Sequence, residues 1–203
     1  HICPNGLSSP VDIKEVSHSS VPHLLFLSNL IESKGVYLLL DACQILKDKG
    51  YSFICDFVGG ETKEITRRHL EEEISQRGLE EYVVYHGPQY GEAKELFFQK
   101  ADIFVQPTFE DCFPLTLVEA MQHGLPVVST DEGAIPDMIV DGENGFVCSR
   151  REVNGLVNAF EKLLTNNELR KQMSKNARFR YKGRYTLDAF EKTFQRILSE
   201  ILN

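Results

Sequence analysis

The 203-residue sequence is short of positive charge relative to its acidic content. Its 22 lysines and arginines face 30 aspartates and glutamates, which gives a formal net charge of −8. A net negative charge disfavours binding to the negatively charged phosphate backbone of a nucleic acid. We therefore do not expect nucleic acid as a partner. Glycine and proline, at 14 and 8 residues, are at ordinary levels, which excludes collagen-like and low-complexity classes.

Cysteine is scarce and shows no paired spacing. The odd number of cysteines, their wide separation and the lack of any CxxC pair predict free thiols, no metal site and a reducing, cytoplasmic location. The five residues are Cys3, Cys43, Cys55, Cys112 and Cys148.

Long hydrophobic runs are also missing. No stretch approaches the roughly 18 apolar residues of a membrane span, and no basic segment precedes a short apolar one. Neither a spanning helix nor a signal peptide is therefore predicted. The sequence begins at His1 and not at methionine, so we expect a domain of a longer protein.

Short apolar strands alternate with longer helical patterns, which is typical of βαβ units around a parallel sheet. The predicted strands are residues 23–28, 51–58, 82–85, 102–106, 126–129 and 145–148. One predicted helix starts at Val36, and a second ends at Gly78. Further helices are predicted at 92–99, at 113–123 with Pro114 in the first turn, and just before Val140. The last three cover 153–164, 167–179 and, after a Thr186 cap, 187–202. We predict an α/β domain with a Rossmann-like, doubly wound parallel sheet and C-terminal helices, binding ligands beyond the carboxyl ends of its strands.

The segment PTFEDCFPLTLVE, residues 107–119, follows a strand and enters a helix. Loop amides and a helix N-terminus offer N–H groups and partial positive charge to an anion such as phosphate. Asp111 and Glu119 add two carboxylates near the same place, and carboxylates accept hydrogen bonds from sugar hydroxyls.

Two further loops could join that segment. FLSNLIESKG, residues 26–35, brings Lys34 to the start of a helix, where a lysine can pair with a phosphate or remain merely solvated. DEGAIPDMIVDGENG, residues 131–145, carries the glycines of tight turns.

In this order the three segments resemble the C-terminal, donor-binding half of retaining GT-B fold glycosyltransferases, the glycosyl transferases group 1 family of the family 4 type. FLSNLIESKG is similar to the family's diphosphate loop, and DCFPLTLVEAMQHGLPVVSTDEGAIPDMIVDGENGFV to its paired-acid signature and the run after it. HICPNGL is similar to the segment that joins the two domains. The resemblance implies an interdomain linker at 1–15, a nucleotide-sugar-binding domain at 16–185 and a crossing helix at 186–203.

The resemblance also implies site roles. Catalytic roles fall on Asp111, which faces the donor sugar although the usual residue is glutamate, and on Lys34, which holds the diphosphate. Glu119 matches the acid that holds the ribose hydroxyls, and Asn29 stands where the family has an arginine. The remaining donor-binding positions are the YHGP turn against the base, with His86 and Gly87, and the loop residues Cys112, Phe113, Pro114, Leu115 and Thr116.

Simpler interpretations stand beside these roles. Asp111 could cap the following helix, and Glu119 could form a structural ion pair in a largely buried helix. Cys112 has no matching base for nucleophilic work. His86 and His123 could be scaffold residues.

The implied function is transfer of a sugar from a nucleotide-diphosphate donor to an acceptor hydroxyl with retention. No cofactor or metal is expected, and the sequence has no Asp-x-Asp signature. The implied partner is an N-terminal domain carrying the acceptor site, so the chain alone is expected to be inactive, and association with a membrane surface is expected only through that domain. Alternatives are a GT-B fold sugar-nucleotide epimerase, a non-catalytic nucleotide-sugar module and, least favoured, a dinucleotide oxidoreductase, because Val58–Glu61 lacks the fingerprint glycines.

Overall fold

The computed structural model describes residues 2–8 and 21–202. Strands and helices alternate as the apolar pattern predicted. In chain order they are β1 (His23–Leu27), α1 (Val36–Asp48), β2 (Ile54–Val58), α2 (Arg67–Gln76), β3 (Val83–Tyr85), α3 (Gly91–Lys100), β4 (Ile103–Gln106), α4 (Leu115–Gln122), β5 (Val127–Thr130), α5 (Ile135–Met138), β6 (Gly145–Cys148), α6 (Val153–Thr165), α7 (Asn167–Arg184) and α8 (Leu187–Leu202). A short 3₁₀ helix, Glu32–Lys34, precedes α1.

The six strands form one sheet in the order β3-β2-β1-β4-β5-β6, and every neighbouring pair is parallel. From β1 the chain adds β2 and β3 toward one edge of the sheet. It then returns to the centre and adds β4, β5 and β6 toward the other edge. The strand order therefore reverses between β1 and β4, and this is the point where open α/β sheets bind ligands. The predicted doubly wound fold class is confirmed.

Two apolar layers hold the sheet. Alternate residues of β1 feed opposite layers: Leu24 and Phe26 pack with α1, α2 and α6, whereas Leu25 packs with α4 and α5. Burial on both faces explains why the inner strands β1, β2, β4 and β5 read as largely apolar runs and not as alternating ones.

Several predicted boundaries shift, among them those of β2, α4 and α7. β2 begins at Ile54 and not at Tyr51. The helix predicted from Phe113 begins at Leu115, because Pro114 takes an extended conformation, with ψ 112°, and so occupies the cap position. α7 continues past Phe179 to Arg184, because its buried stripe continues to Tyr181, which is fully enclosed.

The C-terminal helix starts as predicted, since Thr186 Oγ1 accepts a hydrogen bond from the Ala189 amide at 3.1 Å. The segment 2–8 lies against this start: the Leu7 amide donates to Tyr185 O at 2.8 Å and the Leu187 amide to Leu7 O at 3.0 Å. The predicted boundary between 15 and 16 lies outside the described residues. Among the helices of the described ranges, none has the length and apolarity needed to cross a membrane.

Candidate functional site

The loops that follow β1 and β4 touch at the switch point. Gly35 has φ of 84°, and a Cβ placed there would lie 2.2 Å from the Pro107 carbonyl oxygen. Only glycine allows this approach. The Phe109 amide donates to Ser33 O at 2.9 Å, so the two loops are also joined by a backbone hydrogen bond.

Lys34 spans the two loops. Its Nζ donates to Asp111 Oδ2 at 2.7 Å and to the Glu110 carbonyl oxygen at 2.8 Å. The two side chains of the ion pair are 22% and 17% exposed, so solvent still reaches both. Lys34 is thus not merely solvated, and the interpretation of Asp111 as a helix cap is wrong, because Pro114 holds that position and no side chain caps the helix.

A buried glutamine at the end of β4 lies next to the Asp111 carboxylate of this ion pair. Gln106 ends β4, is 2% exposed, and its Nε2 lies 3.4 Å from Asp111 Oδ2. Thr116 Oγ1 donates to Gln106 Oε1 at 2.5 Å, and Ser129 Oγ to Gln106 O at 2.6 Å. Sequence reasoning missed Gln106, although a polar residue closing an apolar strand was a readable signal.

The third predicted loop reaches the same place. Gly133 has φ of 51°, and a Cβ there would lie 2.1 Å from the Asp111 carbonyl oxygen. The Ala134 amide donates to Cys112 O at 2.9 Å. All three segments singled out from the sequence therefore converge at one edge of the sheet.

The N-terminus of α4 opens toward this convergence. The loop of Cys112, Phe113 and Pro114 leads into Leu115 and Thr116 at the first turn. The first amides of a helix lack intrahelical acceptors and carry partial positive charge. Together with the Lys34 ammonium they make a setting suited to a phosphate.

Glu119 lies on the second turn of α4 and faces α3. Its Oε1 accepts a hydrogen bond from Lys94 Nζ at 2.6 Å, and both side chains are 23% exposed. The ion-pair interpretation therefore describes the carboxylate in this ligand-free chain. Its partial exposure keeps it reachable, and recognition of ribose stays a prediction.

The Asn29 side chain is hydrogen-bonded to the loop after β2. Its Oδ1 accepts from the Gly60 amide at 3.2 Å. Gly59 has φ of 153°, and a Cβ there would lie 1.8 Å from Ser28 O, so these two loops are also in tight contact. Asn29 supplies an acceptor to this contact, where an arginine would have supplied a cation.

His86 is oriented by a buried carboxylate. Asp56, in the middle of β2, is 3% exposed; its Oδ1 lies 2.7 Å from His86 Nε2 and its Oδ2 2.8 Å from His23 Nδ1. Gly87 has φ of 70°, and its carbonyl accepts from the Gly59 amide at 3.0 Å. Sequence reasoning missed Asp56, the one acid in an otherwise apolar strand. A base-binding role of His86 and Gly87 stays a prediction.

The other reactive groups have structural surroundings. Cys112 is an exposed free thiol. His123 stacks on Phe98 at 5.0 Å between ring centroids, and its Nε2 lies 2.8 Å from Glu95 Oε2. Burial lowers the pKa of His123, against the opposing effect of Glu95. Within residues 2–8 and 21–202, no group of three acid, histidine or cysteine side chains could hold a metal ion.

The geometry defines a doubly wound α/β domain with a polar site at its switch point. The glycosyl transferases group 1 family model matches residues 12–180. This match covers most of the sequence, so the chain belongs to that family.

The chain is also similar to individual known proteins. The chain is 28% identical over 158 residues to a colanic acid biosynthesis glycosyltransferase WcaL, described as putative, of Salmonella typhimurium, an alignment covering 72% of this chain and 38% of that protein. The crystal structure of the C-terminal domain of the Francisella tularensis group 1 protein LpcC is similar with a TM-score of 0.73, at 22% identity, covering 84% of this chain and 88% of that one. Anabaena HepE in complex with UDP-glucose gives a TM-score of 0.78 at 22% identity, covering 89% and 49%. The chain thus spans less than half the length of WcaL.

Proposed function

We propose that this chain is the donor-binding part of a glycosyltransferase that moves a sugar from a nucleotide-diphosphate sugar to an acceptor hydroxyl with retention. The observation that carries the proposal is the convergence of Lys34, Asp111 and the α4 N-terminus at the switch point. Family membership and the UDP-glucose complex of the structurally similar HepE support the same class of ligand.

The leaving diphosphate is the first charge that the site must stabilise. Lys34 pairs with it as a point charge, and the amides between Cys112 and Thr116 add oriented donors. Lys34 already bridges two loops, so little ordering of its side chain is needed when the donor binds. This positive charge is supplied without a metal ion.

The donor sugar and nucleoside lie on either side of the diphosphate in this proposal. Asp111 accepts hydrogen bonds from sugar hydroxyls, and Glu119 accepts from the ribose hydroxyls. The base packs against the backbone of His86 and Gly87, whose turn is fixed by the Asp56 hydrogen bond. Cys112 takes no part as a nucleophile, since positioned charge carries the chemistry.

Catalysis also needs an acceptor held in line with the donor. We assign that task to a further domain of a longer protein, consistent with the share of WcaL that the chain spans. Well-oriented geometry can be worth about 7–11 kcal/mol of barrier, so the chain alone transfers no measurable sugar. Measured turnover by the 203-residue chain at the rate of a longer protein would contradict this.

A panel of nucleoside diphosphates tests the proposal directly. One of UDP, GDP, ADP and dTDP raises the unfolding temperature of the chain in a concentration-dependent way, because a ligand that binds the native state stabilises it. Nucleoside monophosphates and free phosphate raise it less. No response to any of the four at millimolar concentration would reject the assignment. In the longer protein, the anomeric configuration of the product, read by NMR, tests retention.

A further inference from the structure

Arg151 has an unusual backbone for a residue with a side chain. Among the described residues it is the one non-glycine position with positive φ, at 60°. Residues other than glycine, asparagine and aspartate rarely adopt this left-handed conformation, and such positions cluster where function over-determines the backbone. Arg151 lies in the loop between β6 and α6, at the same edge of the sheet as the candidate site.

The Arg151 side chain reaches the loop after β4. Its guanidinium carbon lies 4.5 Å from the centroid of the Phe109 ring, a distance suited to a cation–π interaction. The preceding residue, Arg150, contacts the loop of residues 131–145, because its Nη1 lies 2.6 Å from Glu132 Oε2. Adjacent arginines therefore contact two different loops of the site across the left-handed turn.

Phe109 is directly linked to the catalytic candidates. Its amide donates to Ser33 O at 2.9 Å, beside Lys34. The next two residues are the lysine's partners, through the Glu110 carbonyl and the Asp111 carboxylate. Both partners of Lys34 therefore follow Phe109 directly in the chain, so we expect a displacement of the Phe109 backbone to reach them.

Space for such a shift exists next to the ring. A cavity of about 250 Å³ adjoins it. Its lining consists of Glu32, Tyr37, Leu38, Asp41, Phe109 and Arg151. Phe109 is only partly buried, and the guanidinium stacked on its ring is one of the groups that border this cavity.

We propose that Arg151 is a positioning residue for the donor site: by stacking on Phe109 it holds the β4–α4 loop in the conformation in which Asp111 and the Glu110 carbonyl present Lys34 to the diphosphate. This inference rests on the proposed function for the diphosphate, but the loop ordering itself does not.

The test uses Arg151→Gly and Arg151→Asn in the full chain. Both residues adopt positive φ readily, so relief of backbone strain offsets the lost contact and the unfolding temperature changes little. Loss of the stack increases amide hydrogen exchange of residues 108–113 by about 2- to 30-fold, the range of a cation–π interaction. Affinity for the tightest-binding nucleoside diphosphate of the panel falls by a similar factor, and Arg151→Lys, which keeps the cation, restores part of it.

Matched controls isolate the stack. Lys162→Gln removes another cation over a ring, Lys162 above Phe146 at 5.1 Å, which lies outside the candidate site. It leaves amide exchange at 108–113 and nucleotide affinity unchanged. Phe109→Leu fills similar space without a π-face and reproduces the Arg151→Gly effect, and the double variant adds little, as expected for two halves of one interaction.

The outcomes separate the two claims. If the unaltered chain binds none of the nucleotides, the proposed function fails, while amide exchange at 108–113 still tests the stack. Unchanged amide exchange at 108–113 in Arg151→Gly, or an increase spread over the whole sheet, overturns the positioning role. Faster loop exchange with unaltered nucleotide affinity overturns its connection to the donor.

Discussion

Two lysine–carboxylate pairs lie at this edge of the molecule, and they differ in what holds them. Lys34 and Asp111 are 2.7 Å apart between their charged atoms, and Lys94 and Glu119 are 2.6 Å apart. Their exposures are similar, at 22% and 17% against 23% and 23%. The first pair joins two loops, whereas the second joins the helices α3 and α4.

The difference separates a pair held between two loops from a pair held between two helices. Lys34 also donates to a loop carbonyl, so its position depends on the whole β4–α4 loop. Lys94 and Glu119 project from regular helices, and Lys94 also lies 5.9 Å from the Phe98 ring centroid. The loop pair is suited to a ligand whose charge is shared between both loops, and the helix pair to a contact of fixed geometry.

Removing the lysine of each pair gives the largest expected contrast. Lys34→Ala lowers nucleoside diphosphate affinity about tenfold or more, because a charge-assisted contact is worth about 1.5–3 kcal/mol. Lys94→Ala, the matched variant, changes it by less than about threefold, as expected for a partly exposed ion pair. Isothermal titration calorimetry measures both. Equal losses would remove the distinction between the pairs.

Glu119 tests whether the helix pair also serves the ligand. Glu119→Gln keeps the shape but removes the charge, and ribonucleotide binding weakens by about 1–3 kcal/mol. The loss shrinks for the 2′,3′-dideoxy analogue, which lacks the hydroxyls. A loss of the same size with both ligands would make Glu119 a purely structural partner of Lys94.

Asp111 divides the roles within the loop pair. Asp111→Asn removes a negative charge beside the diphosphate, so affinity for the nucleoside diphosphate alone stays the same or rises. Affinity for the nucleotide sugar falls by about 1 kcal/mol, because a charged acceptor for the sugar hydroxyls is weakened. Competition binding with the two ligands separates these effects. Parallel losses would place Asp111 on the phosphate side.

The smallest effect concerns pH on the helix side. His123 lies one turn beyond Glu119, faces Glu95, Arg178 and Glu119, and has a pKa lowered by burial from its reference of 6.5. The unfolded chain therefore binds more protons just below that reference, and the free energy of unfolding falls as pH drops through it. His123→Gln flattens this slope in urea titrations, and an unchanged slope would assign it to other groups. We expect nucleotide affinity to change little over the same pH range, because Lys34 and Asp111 lie on the loop side and not beside His123.

Much of the fold could be read from the sequence. The run HLLFL became β1, because burial on both faces of a parallel sheet leaves a continuous apolar signature. The run GFVC became β6, an edge strand whose middle residues are partly buried. Gathering the three loops at one edge also followed from the pattern, since all parallel strands end there. The start of α4 was misplaced because the φ of Pro114 suits a first turn, whereas its ψ of 112° is extended and is not fixed by the proline ring.

The sequence by itself determined the alternation of strands and helices, the family motif and the presence of a lysine and two acids near one sheet edge. The tertiary structure decided which of these side chains meet. Asp111 pairs with Lys34 across 77 positions, Glu119 with Lys94 across 25, and His86 with Asp56 across 30. Local propensity acts over a few residues and carries no information on such partners. Their contacts arise only when sheet register and loop packing bring distant segments within hydrogen-bond distance.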